Sequence, residues 1–204
     1  MGERIINMVR ATQQLSFGEA FDSQPEHRLF FGIWPDAQAA GDLTRLMERL
    51  RGDGVMSGRP VDRHRLHATL HHLGDFVDQI PPSLLPAARE AAATLAIPPF
   101  EVAFDRAGGT RGAFLLRPSN GALALRSFHQ ALSIALIKAG LGQRIGTAFN
   151  PHVTLSYDFS DVREQQIEPI SWTVRQFVLI ESLLGKHKHI QRGCWPLQAQ
   201  GRHS

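Results

Sequence analysis

A short pattern of residues occurs twice in this chain and restricts its fold more than any other feature of the sequence. Residues 67–70 read His-Ala-Thr-Leu, and residues 152–155 read His-Val-Thr-Leu, 85 positions further along. Composition alone predicts only about 0.04 occurrences of His, any residue, Thr and Leu in this order. The duplication therefore indicates a shared function for the two copies.

Both copies lie in stretches of strand-like composition, where side chains alternate between the two faces of a sheet. His67 and Thr69 then share one face, as do His152 and Thr154, and the residues between them face the other way. If the chain folds as two similar lobes with one copy on a central strand of each, the two pairs face each other across a cleft. The pattern predicts one site built from two halves.

Hydrophobic periodicity and turn residues predict the rest of the organisation. Three helices are too few for a regular alternation with strands around a parallel sheet. The pattern therefore predicts an α+β fold with mainly antiparallel sheets. Strands are predicted over residues 28–34, 65–71, 100–104, 113–117, 151–157, 173–181 and within 187–198, and helices over 36–52, 83–96 and 121–139.

Length and composition limit the class of protein. A chain of 204 residues with 43% hydrophobic and 20% charged residues is typical of one globular domain. Residues 1–26 lack a strong period and are expected to form a loosely ordered extension, whereas residues 27–204 are expected to form a single domain. The one cysteine, Cys194, excludes an internal disulfide. With neither a signal peptide nor an apolar stretch of about 18 residues, the expectation is a cytoplasmic monomer without a membrane partner.

The residue types in the two copies suit phosphoryl transfer without a metal. Imidazoles have an unperturbed pKa of about 6.5, so one ring can accept a proton while the other donates one. Threonine hydroxyls can donate hydrogen bonds to the nonbridging oxygens of a phosphodiester. A base, an acid and two oxyanion donors are thus available in His67, His152, Thr69 and Thr154.

Nearby histidines allow other interpretations. His64, His67, His71 and His72 could form a metal site, but on a strand His64 points away from His67, and neither H-E-x-x-H nor a cysteine cluster occurs. No metal is therefore expected. His71 should either line the cleft or end the strand in solvent, and His72 should lie on the opposite face with a structural role.

Basic and aromatic residues outside the motif have two interpretations each. The net charge of +3 permits a polyanionic partner without requiring one. Basic residues could contact RNA phosphates or lie on solvated loops, and aromatic residues could stack on bases or belong to the core. The candidates are Arg63, Arg65, Arg126, Arg144, residues 186–189, Trp34, Phe149, Tyr157 and Trp195.

Several segments resemble the 2H phosphoesterase superfamily and, within it, the RNA 2′,3′-cyclic phosphodiesterases, historically called 2′-5′ RNA ligases. Besides the two H-x-T copies, the resemblance is carried by RLFFGIWPD at 28–36, LGDF at 73–76 and FNPHVTLSYDF at 149–159, and it covers residues 28–198. It implies a single bilobal α+β domain over residues 27–204 with a pseudo-twofold axis. The two pseudo-symmetric lobes would each have an antiparallel sheet and helices, with an active-site cleft between them and no cofactor. Many relatives carry an arginine and a tyrosine before a closing Pro-Leu, where this chain has Arg-Gly-Cys-Trp at 192–195.

The resemblance also implies a reaction. Members of this type open a terminal 2′,3′-cyclic phosphate of RNA to a 2′-phosphate and can form or cleave 2′-5′ linkages. It implies His67 as the acid that protonates the leaving 3′ oxygen, His152 as the base that activates water, and Thr69 and Thr154 as phosphate donors, although the histidine roles could be reversed.

The function expected is therefore a metal-independent RNA 2′,3′-cyclic phosphodiesterase for RNA processing, which acts on RNA ends or short oligonucleotides. One alternative is a superfamily member for another cyclic phosphate or a 2′-5′ oligonucleotide. The other is a non-catalytic nucleotide or RNA binding module.

Overall fold

A computed structural model describes residues 24–110, 112–119, 122–146, 148–157 and 161–198 of the chain. Most of the predicted extension, residues 1–23, therefore lies outside the described residues. The N–H of Glu26 donates to the carbonyl of Phe76, and the carbonyl of Glu26 accepts from the N–H of Leu184, both at 2.8 Å. The chain is thus tied to its sheet from residue 26 onward.

The described residues contain nine strands and three α-helices, and every strand pairing is antiparallel. The predicted α+β class is confirmed. None of the described helices is long and apolar enough to cross a membrane. The strands are β1 (His27–Ile33), β2 (Arg59–Pro60), β3 (Ala68–Phe76), β4 (Phe100–Thr110), β5 (Ala113–Arg117), β6 (Val153–Tyr157), β7 (Gln165–Val174), β8 (Gln176–Leu183) and β9 (Lys188–Pro196), and the helices are α1 (Ala37–Gly52), α2 (Leu84–Ala93) and α3 (Leu123–Lys138).

The order of the strands divides the sheet into two halves. It runs β7-β4-β5-β6-β3-β1-β8-β9, with β2 paired to β6. The central strands β3 and β6 meet at the pair Ala68 and Val153, and three further strands follow outward on each side. Two four-stranded halves joined at this pair correspond to the two predicted lobes.

The two central strands alternate as the sequence predicts. Ala68, Leu70, Val153 and Leu155 are all buried, in a core cluster that takes residues from both halves of the sheet and from all three helices. Burial of a Leu or Val side chain contributes about 1.5–3 kcal/mol. The apolar faces of the two motifs therefore hold them in the sheet and leave the polar faces for chemistry.

Helix α1 begins and ends where the sequence predicts. The Asp36 carboxylate accepts the N–H of Ala39 at 2.8 Å, which satisfies one of the unpaired donors of the first turn. Buried side chains then recur at helical spacing and pack toward β7. They are Ala39, Ala40, Leu43, Leu46, Met47 and Leu50.

The sequence prediction for strand β7 was wrong. The predicted strand over 173–181 merges the end of β7 with β8 across Arg175, and most of β7 was not assigned. β7 contains Pro169 and several polar residues, and it forms the outer edge of the sheet beside β4. An edge strand tolerates proline because its outward N–H groups need no partner in the sheet. The composition of β7 therefore does not indicate a strand in the sequence.

The predicted positions of two histidines in β3 are wrong because the strand contains a β-bulge. In the ladder with β1, Thr69 and His71 occupy consecutive pairing positions, so Leu70 is an extra residue. The bulge reverses the alternation beyond it. His71, expected in the cleft or in solvent, is buried, and His72, expected on the opposite face from His67, is exposed on the same face as His67.

Candidate active site

The register between β3 and β6 brings the two copies of the motif together. Around the pair that joins these strands, antiparallel pairing puts His67 opposite Thr154 and Thr69 opposite His152. Opposite residues of an antiparallel pair point to the same face of the sheet. The two imidazoles therefore lie on one diagonal of a four-residue cluster, and the two hydroxyls lie on the other.

These four side chains line one cavity of about 440 Å³, which we call the motif cavity. The structure thus places all four predicted site residues together, on the face opposite the apolar core. Both halves of the sheet contribute to its wall. Other lining residues include Arg28, Phe30, Arg65, Tyr157, Ser182 and His189.

The same hydrogen bond orients both histidines. Nδ1 of His67 donates to the carbonyl of Arg65 at 2.7 Å, and Nδ1 of His152 donates to the carbonyl of Asn150 at 2.8 Å. Because a carbonyl oxygen can only accept, the proton of each neutral ring lies on Nδ1. Nε2 of each neutral ring is then an acceptor that can take a proton. The two histidines of the duplicated motif therefore have the same tautomer as well as equivalent positions.

Aromatic rings enclose His67. Its ring stacks on Phe30 with centroids 4.8 Å apart, and the ring of His189 meets it edge-on at 5.3 Å. Burial lowers the pKa of His67 to about 4; the bond to the Arg65 carbonyl opposes this shift, and the charges of His152 and Arg65 add to it. His67 is therefore neutral at pH 7 in the free protein.

His189 is a third imidazole in the motif cavity, and the sequence marked it only as part of the run 186–189, a candidate either for contact with RNA phosphates or for a solvated loop. It lies on β9 opposite Ser182 of β8. Burial, followed by the charges of His67 and other basic neighbours, lowers its pKa to about 3. Its buried Nδ1 has no hydrogen-bond partner among the described residues. The available signal was the run Lys-His-Lys-His at 186–189, because its two histidines are two positions apart and would share one face of a strand.

A column of stacked rings lies beside the segment that precedes His152. Phe149 stacks on His129, and His129 stacks on His71, with 4.0 Å between ring centroids at each step. Nε2 of His71 also lies 3.0 Å from the hydroxyl of Ser133. Burial lowers the pKa of both column histidines, that of His129 to about 4. The column thus connects β3 and α3 to the segment that carries His152.

The basic and aromatic candidates occupy different parts of the molecule. Arg65 and Tyr157 line the motif cavity, and Tyr157 is 61% exposed. His189, from the candidate run 186–189, lines it as well. Arg63 and Trp34 line a separate cavity of about 580 Å³, Arg144 lies over the ring of Phe76, and Trp195 stacks on Phe177 against the core.

Two further observations concern metals and the C-terminal strand. Within the described parts of the chain, no group of three His, Cys, Asp or Glu side chains is arranged to hold a metal ion. Arg192, the first residue of the segment 192–195, pairs with the buried carboxylate of Glu181. This arginine therefore stabilises the sheet.

Comparisons with known proteins show the same architecture. Solved structures of similar fold include E. coli LigT in its apo form, with a TM-score of 0.69 and 24% identity over 86% of this chain and 99% of LigT. Another is the protein TT0787 of Thermus thermophilus, with a TM-score of 0.66 and 22% identity over 85% of this chain and 100% of TT0787. No curated protein matches the chain. A sequence model described as the 2′-5′ RNA ligase superfamily matches residues 34–186, which contain both copies of the motif. The chain therefore belongs to the 2′-5′ RNA ligase superfamily.

Proposed function

We propose that the protein is a metal-independent RNA 2′,3′-cyclic phosphodiesterase that opens a terminal cyclic phosphate to a 2′-phosphomonoester. The observation that carries the proposal is the meeting of His67 and His152 at one cavity, with the same tautomer in both rings. Membership of the superfamily supports activity on cyclic phosphates or on 2′-5′ RNA. Structures of E. coli LigT with 3′-AMP and with ATP support a nucleotide ligand.

The mechanism requires the attacking and leaving oxygens on opposite sides of the phosphorus. The resemblance assigns the base to His152, whose Nε2 takes a proton from the attacking water. It assigns the acid to His67, which protonates the 3′ oxygen as the bond from that oxygen to phosphorus breaks. The hydroxyls of Thr69 and Thr154 donate to the nonbridging oxygens as negative charge accumulates there. The product carries a 2′-phosphate and a 3′-hydroxyl.

The low pKa of His67 places a condition on this mechanism. An acid must carry a proton, and burial keeps His67 neutral in the free protein. A bound phosphodiester anion places a negative charge beside the ring and offsets the positive charge of Arg65, so substrate binding favours protonation of His67. The reversed assignment, with His67 as the base, uses this ring in the neutral form that it has in the free protein.

Product analysis on an oligonucleotide with a 2′,3′-cyclic phosphate end tests the proposal. We expect a 2′-phosphate product whose formation continues in EDTA. His67→Ala and His152→Ala should each lower kcat about 10²- to 10⁴-fold, because a positioned acid or base contributes that much. His64→Ala is the matched control, since His64 is exposed and lines a different cavity.

Other results would point elsewhere. Wild-type rates in either histidine variant, or a 3′-phosphate product, would contradict the proposal. Turnover confined to another cyclic phosphate, such as that of ADP-ribose, would identify a superfamily member with a different substrate. Binding of AMP without turnover of any cyclic phosphate would identify a binding module.

A further inference from the structure

A second cavity adjoins the motif cavity at His152. It measures about 590 Å³, and His152 lines both cavities. Its polar wall is formed by Arg117, Ser119, Arg126 and Asn150. We call this second cavity the arginine groove. A groove with two guanidinium groups and polar side chains has the chemistry that binds phosphate groups.

The register of β5 places Arg117 beside His152. Leu115 pairs with Thr154, and the next residue of β5 pairs with the preceding residue of β6. The same register brings Arg117 opposite His152, so both side chains point to the same face of the sheet. Neighbouring strands lie roughly 4.7–4.9 Å apart. The Arg117 guanidinium therefore lines the groove from the strand next to the one that carries the His152 imidazole.

The charge of Arg117 is only partly neutralised. Its guanidinium lies 3.1 Å from Glu164, and the same carboxylate pairs with Arg106 at 2.9 Å. One carboxylate thus faces two cations. A guanidinium carries five N–H donors in a planar fork, so the pair with Glu164 leaves donors for a phosphate.

The other side of the groove carries Arg126 and Ser119. Arg126 donates to the carbonyl of Phe149 at 3.0 Å, which anchors the guanidinium beside the stacked column. The N–H of Ser119 donates to the carboxylate of Asp105 at 2.7 Å. Among the described residues around the groove, the three arginines Arg106, Arg117 and Arg126 outnumber the two carboxylates of Asp105 and Glu164, and this excess of positive charge attracts a polyanion.

The mechanism determines which part of an RNA substrate meets this groove. With His152 as the base, the attacking oxygen approaches the phosphorus from the side of His152, and the 3′ oxygen leaves on the side of His67. In hydrolysis the attacking oxygen belongs to water. When it belongs to the 5′-hydroxyl of an RNA strand, that strand must extend away on the side of His152, where the arginine groove begins.

We propose that the arginine groove binds backbone phosphates of an RNA strand whose 5′ oxygen is joined to, or attacks, the reacting phosphorus. This inference rests on the proposed function. In cleavage, the 3′-hydroxyl next to a 2′-5′ linkage attacks the phosphorus and loses its proton to His67. The bond from phosphorus to the 5′ oxygen breaks, and His152 protonates that oxygen. A 2′,3′-cyclic phosphate and a strand with a 5′-hydroxyl result, and the reverse reaction joins them without a further reactant.

Steady-state kinetics of Arg117→Ala on three substrates test the inference. The substrates are a 2′,3′-cyclic mononucleotide, an oligonucleotide that ends in a cyclic phosphate, and an oligonucleotide with one internal 2′-5′ linkage. Only the third places a strand on the side of His152. Loss of a charge-assisted bond to phosphate should lower kcat/KM for the third substrate about tenfold more than for the other two.

Salt dependence and two further variants sharpen the test. The slope of log kcat/KM against log salt for the 2′-5′ substrate should become shallower by about 0.7 in Arg117→Ala, since one phosphate contact with a single strand is lost. Arg117→Lys keeps the charge and should recover most of that slope. Arg49→Ala removes an exposed arginine of α1 and should leave all three rates and the slope unchanged.

Several outcomes would overturn the inference. Equal losses on both oligonucleotides would mean that the groove binds the strand that carries the cyclic phosphate. Equal losses on all three substrates would make Arg117 a positioning residue for His152, and unchanged rates would remove it from binding. A wild-type protein that leaves the 2′-5′ linkage intact would also contradict it. Failure to hydrolyse the cyclic mononucleotide, with the 2′-5′ linkage still cleaved, would contradict the proposed function alone.

Discussion

The two copies of the motif are alike in the sheet and different in their surroundings. His67 and His152 share one face, and each donates its Nδ1 proton to the carbonyl two residues earlier. Phe30 and His189 enclose His67, whereas His152 stands where two cavities meet. The duplication therefore fixes where the rings lie. The neighbouring residues keep His67 neutral and give the two rings different access to the cavities.

The largest expected effect is on kcat, and it distinguishes the acid from the base among the two histidines. A substrate whose leaving 3′ oxygen is replaced by sulfur needs little help from an acid, because a thiolate is a far weaker base than an alkoxide. On this substrate His67→Ala should recover most of its loss of about 10²- to 10⁴-fold, and His152→Ala should recover none. The measurement is kcat of both variants on the oxygen and sulfur substrates. Recovery in His152→Ala alone would reverse the assignment.

Burial of neutral histidines should also make stability depend on pH, in both halves of the site. The pKa is about 4 for His67 and for His129 in the folded protein and about 6.5 in the unfolded chain. Between these values the unfolded state binds more protons. The free energy of unfolding therefore falls as the pH falls from 6.5 toward 4, by up to about 1.4 kcal/mol per pH unit for each group. Above pH 6.5 the contribution is complete.

His129→Phe isolates the contribution of the column beside His152. Phenylalanine can stack on Phe149 as His129 does, but it cannot take a proton. The free energy of unfolding, measured in urea, should fall less between pH 7 and pH 5 in His129→Phe than in the wild type. The difference should be up to about 2 kcal/mol. An equal loss in variant and wild type would show that the column does not keep His129 neutral.

The features that the sequence predicts correctly depend on local patterns. Alternation along a strand predicts that Leu70 and Leu155 are buried, and both are. Capping and periodicity place the start of α1 at Asp36 and its end at Gly52. The order of strands and helices around the motifs follows from the same two kinds of signal.

The features that the sequence could not predict depend on pairing between distant segments. The bulge at Leu70 exists only in the ladder with β1 and moves His71 into the core. His189 reaches the motif cavity because β9 returns beside β8 at the end of the chain, and Arg117 reaches His152 through the register of β5 with β6. Such registers are set by packing across the whole sheet rather than by a stretch of adjacent residues.

The smallest expected effect tests the enclosure of His67. Phe30→Leu removes the stacked ring and admits water beside the imidazole, so burial, the main cause of the low pKa, weakens. The pKa of His67, followed by NMR titration, should rise from about 4 by about one unit. Phe100→Leu, a similar loss of packing on β4, should leave it unchanged. A pKa that stays near 4 in Phe30→Leu would mean that the charges of neighbouring basic groups keep His67 neutral, and the difference between the two halves would then be electrostatic in origin.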